Sequence, residues 1–329
     1  MILIFSTAND PSTLDVIRWI HHLGGAKVVR INADDTYRVD LTFADDDYQV
    51  RVDEECFRLA DVSSAWLRKG DFWFRGLFPA VEVPRSQILT DYLNKKLQQE
   101  DRRLREHFHH VLKQRCAVLG SANGSIPNKL VVLELARELG LRTPPFRITT
   151  SRHYTQALVE SGASYVSKAM SDGLYLFDVQ ETKAGYFTYT EPLEPSSVER
   201  VGERIVPSFF QRYVEKAFEL RVFFLGDTFR TVAIFSQNDE QTRIDYRKYN
   251  LARPNRMIPY QLSREVEAQL SRLADRLGLN TGSIDLIADK RGEIYFLEVN
   301  PVGQFGQLSD VCNLSIERLI AERLLAHEQ

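Results

Sequence analysis

The stretch Gly282-Ser283-Ile284-Asp285-Leu286-Ile287 is answered, beyond Asp289-Lys290-Arg291-Gly292, by Phe296-Leu297-Glu298-Val299-Asn300-Pro301. Both runs are apolar, of strand length, and interrupted by acids. The charged segment between them ends in glycine, which predicts a β-hairpin over 283–288 and 293–299. With a four-residue turn at 289–292, Asp285 stands opposite Phe296 and shares a sheet face with Glu298 and Asn300, because alternate residues of a strand point the same way. Two carboxylates and an amide oxygen make the hard donor set that magnesium takes, with nucleotide phosphates completing the coordination. Ile284, Leu286, Tyr295, Leu297 and Val299 would back them on the apolar face. Acids at strand ends are common, so this spacing by itself does not make a metal site.

Upstream, Phe210-Gln211-Arg212-Tyr213-Val214 and Glu219-Leu220-Arg221 offer a backbone edge for a purine, a carboxylate for ribose hydroxyls and a guanidinium for phosphate. Two lysines precede them. Lys129 opens a helix over Asn128–Leu139, where its charge opposes the helix dipole unless an anion lies nearby, and Lys168 sits in the strand Ser164–Ala169. Taken singly, each lysine reads more readily as surface decoration, and the strand residues are weak signals as well.

The wider pattern is mixed. Met1–Phe5, a helix from Pro11 capped by Ser12 or Thr13, and Lys27–Ile31 make a strand-helix-strand opening, and Leu41–Val52 alternates as a meander. Ser86–Lys113 reads as one long helix whose Arg102-Arg103-Leu104-Arg105 run faces solvent, neutralised by Glu100, Asp101 and Glu106. A turn cluster at 121–127 marks a boundary. Beyond it strands and helices alternate, with hairpins expected over 174–190 and at Gly226-Asp227, a helix over Ser263–Leu277 and a closing helix over Leu314–Leu325. The expected domains are 1–119, 120–207 and 208–329, in α/β and α+β classes.

Composition narrows the function. At 43% hydrophobic and 26% charged, with 19 Phe and 13 Tyr, the chain has the makeup of a folded globular protein. A net charge of -3 provides no basic field for nucleic acid. No stretch reaches the roughly 18 apolar residues of a spanning helix, and the apolar start is too short for a signal core, so a cytoplasmic protein is expected. Cys56, Cys116 and Cys312 lie far apart and read as buried free thiols.

The order of the motifs is more specific than any one of them. Lysine, lysine, a polar-edged strand, Glu-x-Arg, then Asp, Glu and Asn on a hairpin resembles the ATP-grasp superfamily from about residue 120 onward, preceded by an α/β domain (the pre-ATP-grasp domain). A narrower likeness runs the full chain. Asn9-Asp10-Pro11-Ser12-Thr13, Arg30-Ile31-Asn32, Ala65-Trp66-Leu67-Arg68-Lys69, Phe235-Ser236-Gln237-Asn238, Thr242-Arg243-Ile244-Asp245-Tyr246-Arg247 and Asn300-Pro301-Val302-Gly303-Gln304-Phe305 look like the grasp-with-spasm peptide maturases, relatives of the microviridin ligases that make graspetides. One departure is that only Gly173 follows Lys168, where many ATP-grasp enzymes carry a glycine-rich loop.

The resemblance implies an ADP-forming ligase with ATP and Mg2+ as cofactors and a ribosomally made precursor peptide, leader and core, as partner. Such an enzyme phosphorylates Asp or Glu side chains and joins them to Thr or Ser hydroxyls, or to Lys amines. It further implies that Lys129 and Lys168 contact phosphates, that Gln211, Arg212, Tyr213 and Val214 frame the adenine, and that Glu219 binds ribose. Arg221 and Arg247 would face the acyl phosphate, with Asp245 orienting Arg247 or acting as a weak base. Asp285, Glu298 and Asn300 would hold magnesium. A leader would dock near 174–189, whose Tyr175, Phe177, Tyr186, Phe187 and Tyr189 suit cross-strand packing as well, and Trp66, Arg68 and Trp73 would reach the substrate or serve the core. Neither nucleic acid nor membrane is an expected partner; a homodimer is open, since the sequence does not reveal oligomeric state. A glutathione-synthase-like or glutamate-adding ligase would use the same nucleotide residues, and a silent nucleotide-binding escort of the peptide would need only some of them.

Overall fold

The computed structural model describes residues 1–329 apart from 36, 70–79, 122–126, 172, 174, 179–183, 200, 238–241, 243, 246–251, 253 and 328–329, and gives the backbone alone for 175–178 and 184–187. The chain divides into two units, Met1–Ser125 with Gln304–Gln329, and Ile126–Gly303. Among the described residues no helix is long and apolar enough to cross a membrane.

In the first unit, β1 (Ile2–Ser6) and β2 (Val28–Asn32) are joined by α1 (Pro11–Leu23). A meander follows, made of β3 (Val39–Ala44), β4 (Asp47–Val52) and β5 (Glu55–Arg58). Then come β6 (Ser64–Leu67), the long α2 (Gln87–Arg115) and β7 (Ala117–Gly120). The main sheet is parallel in the order β2-β1-β6-β7. A continuous apolar β1, all five residues buried, is what a strand covered on both faces requires. Its core joins Phe5 and Leu3 to Tyr48 and Val50 of the meander and to Phe108 and Leu112 of α2. Ser86 caps α2 by accepting from Leu89 N. The basic run is neutralised along the helix, Arg102 and Arg103 by Glu106 and Arg105 by Asp101.

The N-cap of α1 is Asp10, not Ser12 or Thr13, which lie buried within the first turn. Asp10 is committed elsewhere. Its Oδ2 accepts from Arg68 Nε and Thr13 Oγ1, each at 3.1 Å, and its Oδ1 lies 3.5 Å from Lys69 Nζ. Burial opposes ionisation here, but Arg68 and Lys69 hold the Asp10 carboxyl below its ordinary pKa. Arg68 is therefore not a solvated arginine: its side chain is 3% exposed and its guanidinium stacks on Phe305 at 4.6 Å. Trp66 is in the core. Cys56, expected to be buried, is exposed, and Cys116 and Cys312 are partly so. The interior of this unit is filled by branched apolar and aromatic side chains, and the thiols are left at its margin.

The second unit opens with α3 (Lys129–Glu138), β8 (Phe146–Ser151), α4 (Arg152–Glu160) and β9 (Tyr165–Lys168). The expected hairpin is β10 (Tyr175–Asp178) with β11 (Ala184–Phe187), antiparallel. The stretch Glu191–Val206, which the sequence reads as a loop, contains β12 (Glu191–Pro192), α5 (Pro195–Glu199) and the start of β13 (Arg204–Arg212), and β12-β9-β13-β8 form one sheet. Next are β14 (Lys216–Leu225), β15 (Thr228–Phe235), β16 (Arg256–Tyr260), α6 (Arg264–Arg276), β17 (Thr281–Asp289) and β18 (Ile294–Asn300). These five strands make an antiparallel sheet ordered β16-β15-β14-β17-β18. Its core face, with Leu220, Val222, Phe224, Ile284, Leu286, Phe296 and Val299, packs with Leu133 of α3 and Leu270 and Leu273 of α6. Two final helices, α7 (Gly306–Cys312) and α8 (Ile316–Leu325), belong to the first unit, where Ser64 Oγ donates to Leu324 O and a side chain at Gly24 would press on Leu325.

Removing the shared carboxylate takes from the buried Arg68 the anion it is hydrogen-bonded to, with the partly exposed Lys69 beside it. Asp10→Ala should cost about 3–5 kcal/mol of stability, read as a lower urea midpoint for the transition that reports on the first unit. An unchanged midpoint would show that the cluster carries no such weight.

Candidate nucleotide and metal site

One face of the five-stranded sheet is taken by α3 and α6, so the alternate residues of its central strands face the other way. On β14 these are Glu219 and Arg221, and on β17 they are Ser283, Asp285 and Ile287. The β17–β18 hairpin corrects the expected register. Its turn is three residues, Lys290–Gly292, closed by Asp289 N to Glu293 O at 3.0 Å, with Gly292 at φ 82. Asp289 Oδ1 accepts from the backbone N–H of Arg291 and of Glu293, which stiffens the turn. Leu286 then pairs with Phe296, but Asp285 pairs with Glu298, so Leu297 is an extra residue, a β-bulge. Phe296 N–H is satisfied outside the ladder, by Arg142 O at 2.7 Å. The bulge lets Phe296 enter the core while Glu298 faces Asp285 directly. Accordingly the apolar backing is Ile284, Leu286, Phe296 and Val299, and Leu297 turns to the site.

The charges there are paired. Arg221, the register partner of Asp285, donates through one guanidinium nitrogen to both of its carboxylate oxygens at 2.6 Å. Lys129 Nζ lies 3.0 Å from Glu298 Oε2 and donates to Ala169 O at 3.0 Å. Glu298 thus supplies the anion that a lysine at a helix N-terminus calls for. Lys168 is pressed by burial down to a pKa of about 8, against the pull of Glu298 and with Lys129 and Lys216 repelling it. Asn300 Oδ1 accepts from Val302 N and Gly303 N, folding the chain back so closely that a Cβ at Gly303 would meet Ser283 N at 2.6 Å.

A pocket opens beside these charges, lined by Lys168, Gln211, Arg212, Tyr213 and Val214, with Pro144 and Val166 at one wall and Ile287 and Leu297 at another. Lys216, Thr190 and Ile244 complete it. Glu219 lies behind Lys216, to which it is joined by a short hydrogen bond, and burial pushes its carboxyl pKa up while Lys216 opposes that rise. Ser236 is near enough to favour its charge, yet Oε2 keeps no hydrogen bond of normal geometry among the described residues. Asp245 is buried and accepts from Thr190 N at 3.2 Å. Of the sequence-derived residues Arg247 and Trp73, with Asn238, Arg243 and Tyr246 of the quoted motifs, lie outside the described residues, as do the side chains of Tyr175, Phe177, Tyr186 and Phe187, on which the leader-docking reading rests. Lys216 and Thr190 were not read from the sequence as pocket residues, Ile244 was read only within a motif, and Leu297 was read as apolar backing; the spacing of three from Glu219 hides Lys216, since a regular strand would put it on the opposite face.

Among the described residues no three His, Cys, Asp or Glu side chains gather as a metal site. The donor set nevertheless suits magnesium bound with phosphates: two facing carboxylates, an amide two residues along and the buried Ser283 Oγ, which has no hydrogen-bond partner among the described residues.

No protein-family model matches the sequence, and no curated protein matches it. Solved structures do. The chain is similar to a RiPP-associated ATP-grasp ligase of Chryseobacterium gregarium in complex with ADP and a leader and core peptide, with a TM-score of 0.78 at 23% identity over 99% of this chain and 96% of that one. It is similar to the macrocyclase MdnC of Microcystis aeruginosa bound with precursor peptide MdnA, with a TM-score of 0.77 at 24% identity and 99% of each chain. A third likeness is to the ATP-grasp ligase PsnB complexed with minimal precursor, Mg and ADP, with a TM-score of 0.69 at 19% identity over 100% of this chain and 97% of that one. At these identities the likeness is one of fold: the chain has the ATP-grasp fold behind an N-terminal α/β domain, as the motif order implied.

Lys168 has a testable signature in the ligand-free chain. Its folded pKa is about 8 against an ordinary 10.5, so below pH 8 both states hold the proton, and between the two values only the unfolded state does. The native chain should therefore gain stability relative to Lys168→Met as pH rises from about 8 to 10.5, with a flat difference below that window. Parallel stability profiles would show an unperturbed lysine.

Proposed function

We propose that this chain is an ATP-dependent, ADP-forming ligase that activates Asp or Glu side chains of a ribosomally made precursor peptide and closes them into ester or amide rings. The observation that carries the reading is one sheet face bearing Glu219, Arg221, Asp285 and Glu298, with Lys129 and Lys168 beside it. It stands in a fold matched end to end by solved ATP-grasp ligases, three of which hold precursor peptide or a leader and core.

A carboxylate resists attack by an alcohol or amine because oxide is a poor leaving group. Transfer of the γ-phosphoryl of ATP to a carboxylate oxygen gives an acyl phosphate and ADP. Attack at the acyl carbon by a Thr or Ser hydroxyl, or a Lys amine, then expels phosphate and releases a proton. The chain's part is positioning and charge neutralisation. Gln211 to Val214 would frame the base and Glu219 would accept from ribose through Oε2. Lys129 and Lys168 would hold phosphate oxygens, each leaving or sharing the carboxylate it now faces. Arg221 would turn a planar guanidinium to the phosphoryl group, and Arg247 would join it. Buried Asp245, tied to Thr190, has the environment of an orienting group more than of a mobile base. Asp285, Glu298 and Asn300 would hold magnesium, which would supply neutralisation of the phosphate charge.

The test is the intact mass of a short Thr- and Glu-rich peptide encoded beside the gene, after incubation with the chain, ATP and magnesium. Loss of one water per ring, matched by ADP and phosphate, is the expected result. An unchanged peptide with ligation of free amino acids would point to a glutamate-adding ligase instead. Asp285→Asn and Glu298→Gln should each lower ATP turnover at least about a hundredfold with the fold retained; full turnover in both would remove the metal assignment.

A further inference from the structure

We infer that Lys216 is a positioning residue of the nucleotide pocket, a single ammonium group that ties Glu219 to the segment carrying Ile244 and Asp245. The inference rests on the nucleotide reading of the pocket and adds to it a residue and a linkage.

Lys216 and Glu219 are three apart on β14, a spacing that in a regular strand sends two side chains to opposite faces. The ladder with β17 breaks that rule. Lys216 pairs with Asp289 and Phe218 with Ala288, so Ala217 is an extra residue and the bulge swings Lys216 to the face of Glu219. There Lys216, 5% exposed, donates to Glu219 Oε1 in a short bond and to Ile244 O at 3.0 Å. The next residue, Asp245, holds Thr190 N, so both sides of this wall of the pocket are pinned through one lysine. Burial works against the charge of Glu219, and Lys216 is the first group opposing it. A buried ion pair adds little net stability over apolar packing of the same volume, so stability alone does not account for a bulge that creates one.

The measurement is calorimetric titration of ADP, without metal, into the full chain and its variants. Lys216→Met should weaken ADP binding at least about tenfold, and Lys216→Arg, which keeps a donor, should recover most of it. Glu219→Gln should weaken binding too, and the double variant Lys216→Met with Glu219→Gln should bind no worse than Glu219→Gln alone, because the two act as one unit. That comparison holds even if Lys216→Met alone does not fold, since the double variant leaves no unpaired buried charge. Hydrogen exchange at the Ile244 and Asp245 amides should quicken in Lys216→Met and stay as in the native chain in Glu219→Gln. Native ADP binding with losses that add, or with Lys216→Met within twofold of native, would overturn the inference alone. No ADP binding by the native chain would overturn the nucleotide reading and this inference with it.

Discussion

Phe296 fills the core and Glu298, two residues later, faces the opposite way, which a regular strand forbids. The bulge at Leu297 resolves the conflict, and the site depends on it. It brings Glu298 directly across from Asp285, within reach of Lys129 at the start of α3, and it frees Leu297 to line the pocket. A second bulge, at Ala217, does the same for Lys216. The sheet that lies between α3 and α6 on one side and the charged residues on the other thus keeps its apolar face intact while its polar face is re-aimed residue by residue. Bulges are common next to active sites for this reason.

The electrostatics follow from the same arrangement. Carboxylates brought together without partners would repel and take up protons, and lysines brought together would lose theirs. In this chain each is matched: Asp285 with Arg221, Glu298 with Lys129, Glu219 with Lys216. Lys168 is the cation most penalised by burial, and its pKa falls to about 8. Phosphates and a divalent ion entering such a site would exchange partners with groups already charged and already in place, so little of their binding energy is spent on reorganising the protein. The first unit uses the same device for structure, with Asp10 compensating Arg68 and Lys69 at the carboxyl ends of β1 and β6.

Much of this was legible in the sequence. Alternation and apolar runs found the longer strands, Ser86, Asn128 and Ser263 announced helix starts, and Gly226-Asp227 a tight turn. The motif order pointed to the ATP-grasp fold. The residues read as nucleotide and metal contacts, Arg247 apart, come together in the second unit. What was missed has physical causes. The short helices α5 and α7 and the short strands β5, β6, β7, β12 and β16, none of them read from the sequence, offer too few residues for a period to emerge. Asp10 was passed over because capping preference favours Ser and Thr equally, and only the fold brings Arg68 to it.

The sequence by itself determined which residue types stand in which order and with what period, because residue type and local period are properties of the chain alone. The tertiary structure decided which of them meet. Register across β14, β17 and β18 depends on where two extra residues are accommodated, and that is set by how Phe296 and its neighbours pack against α3 and α6, a constraint no local pattern carries.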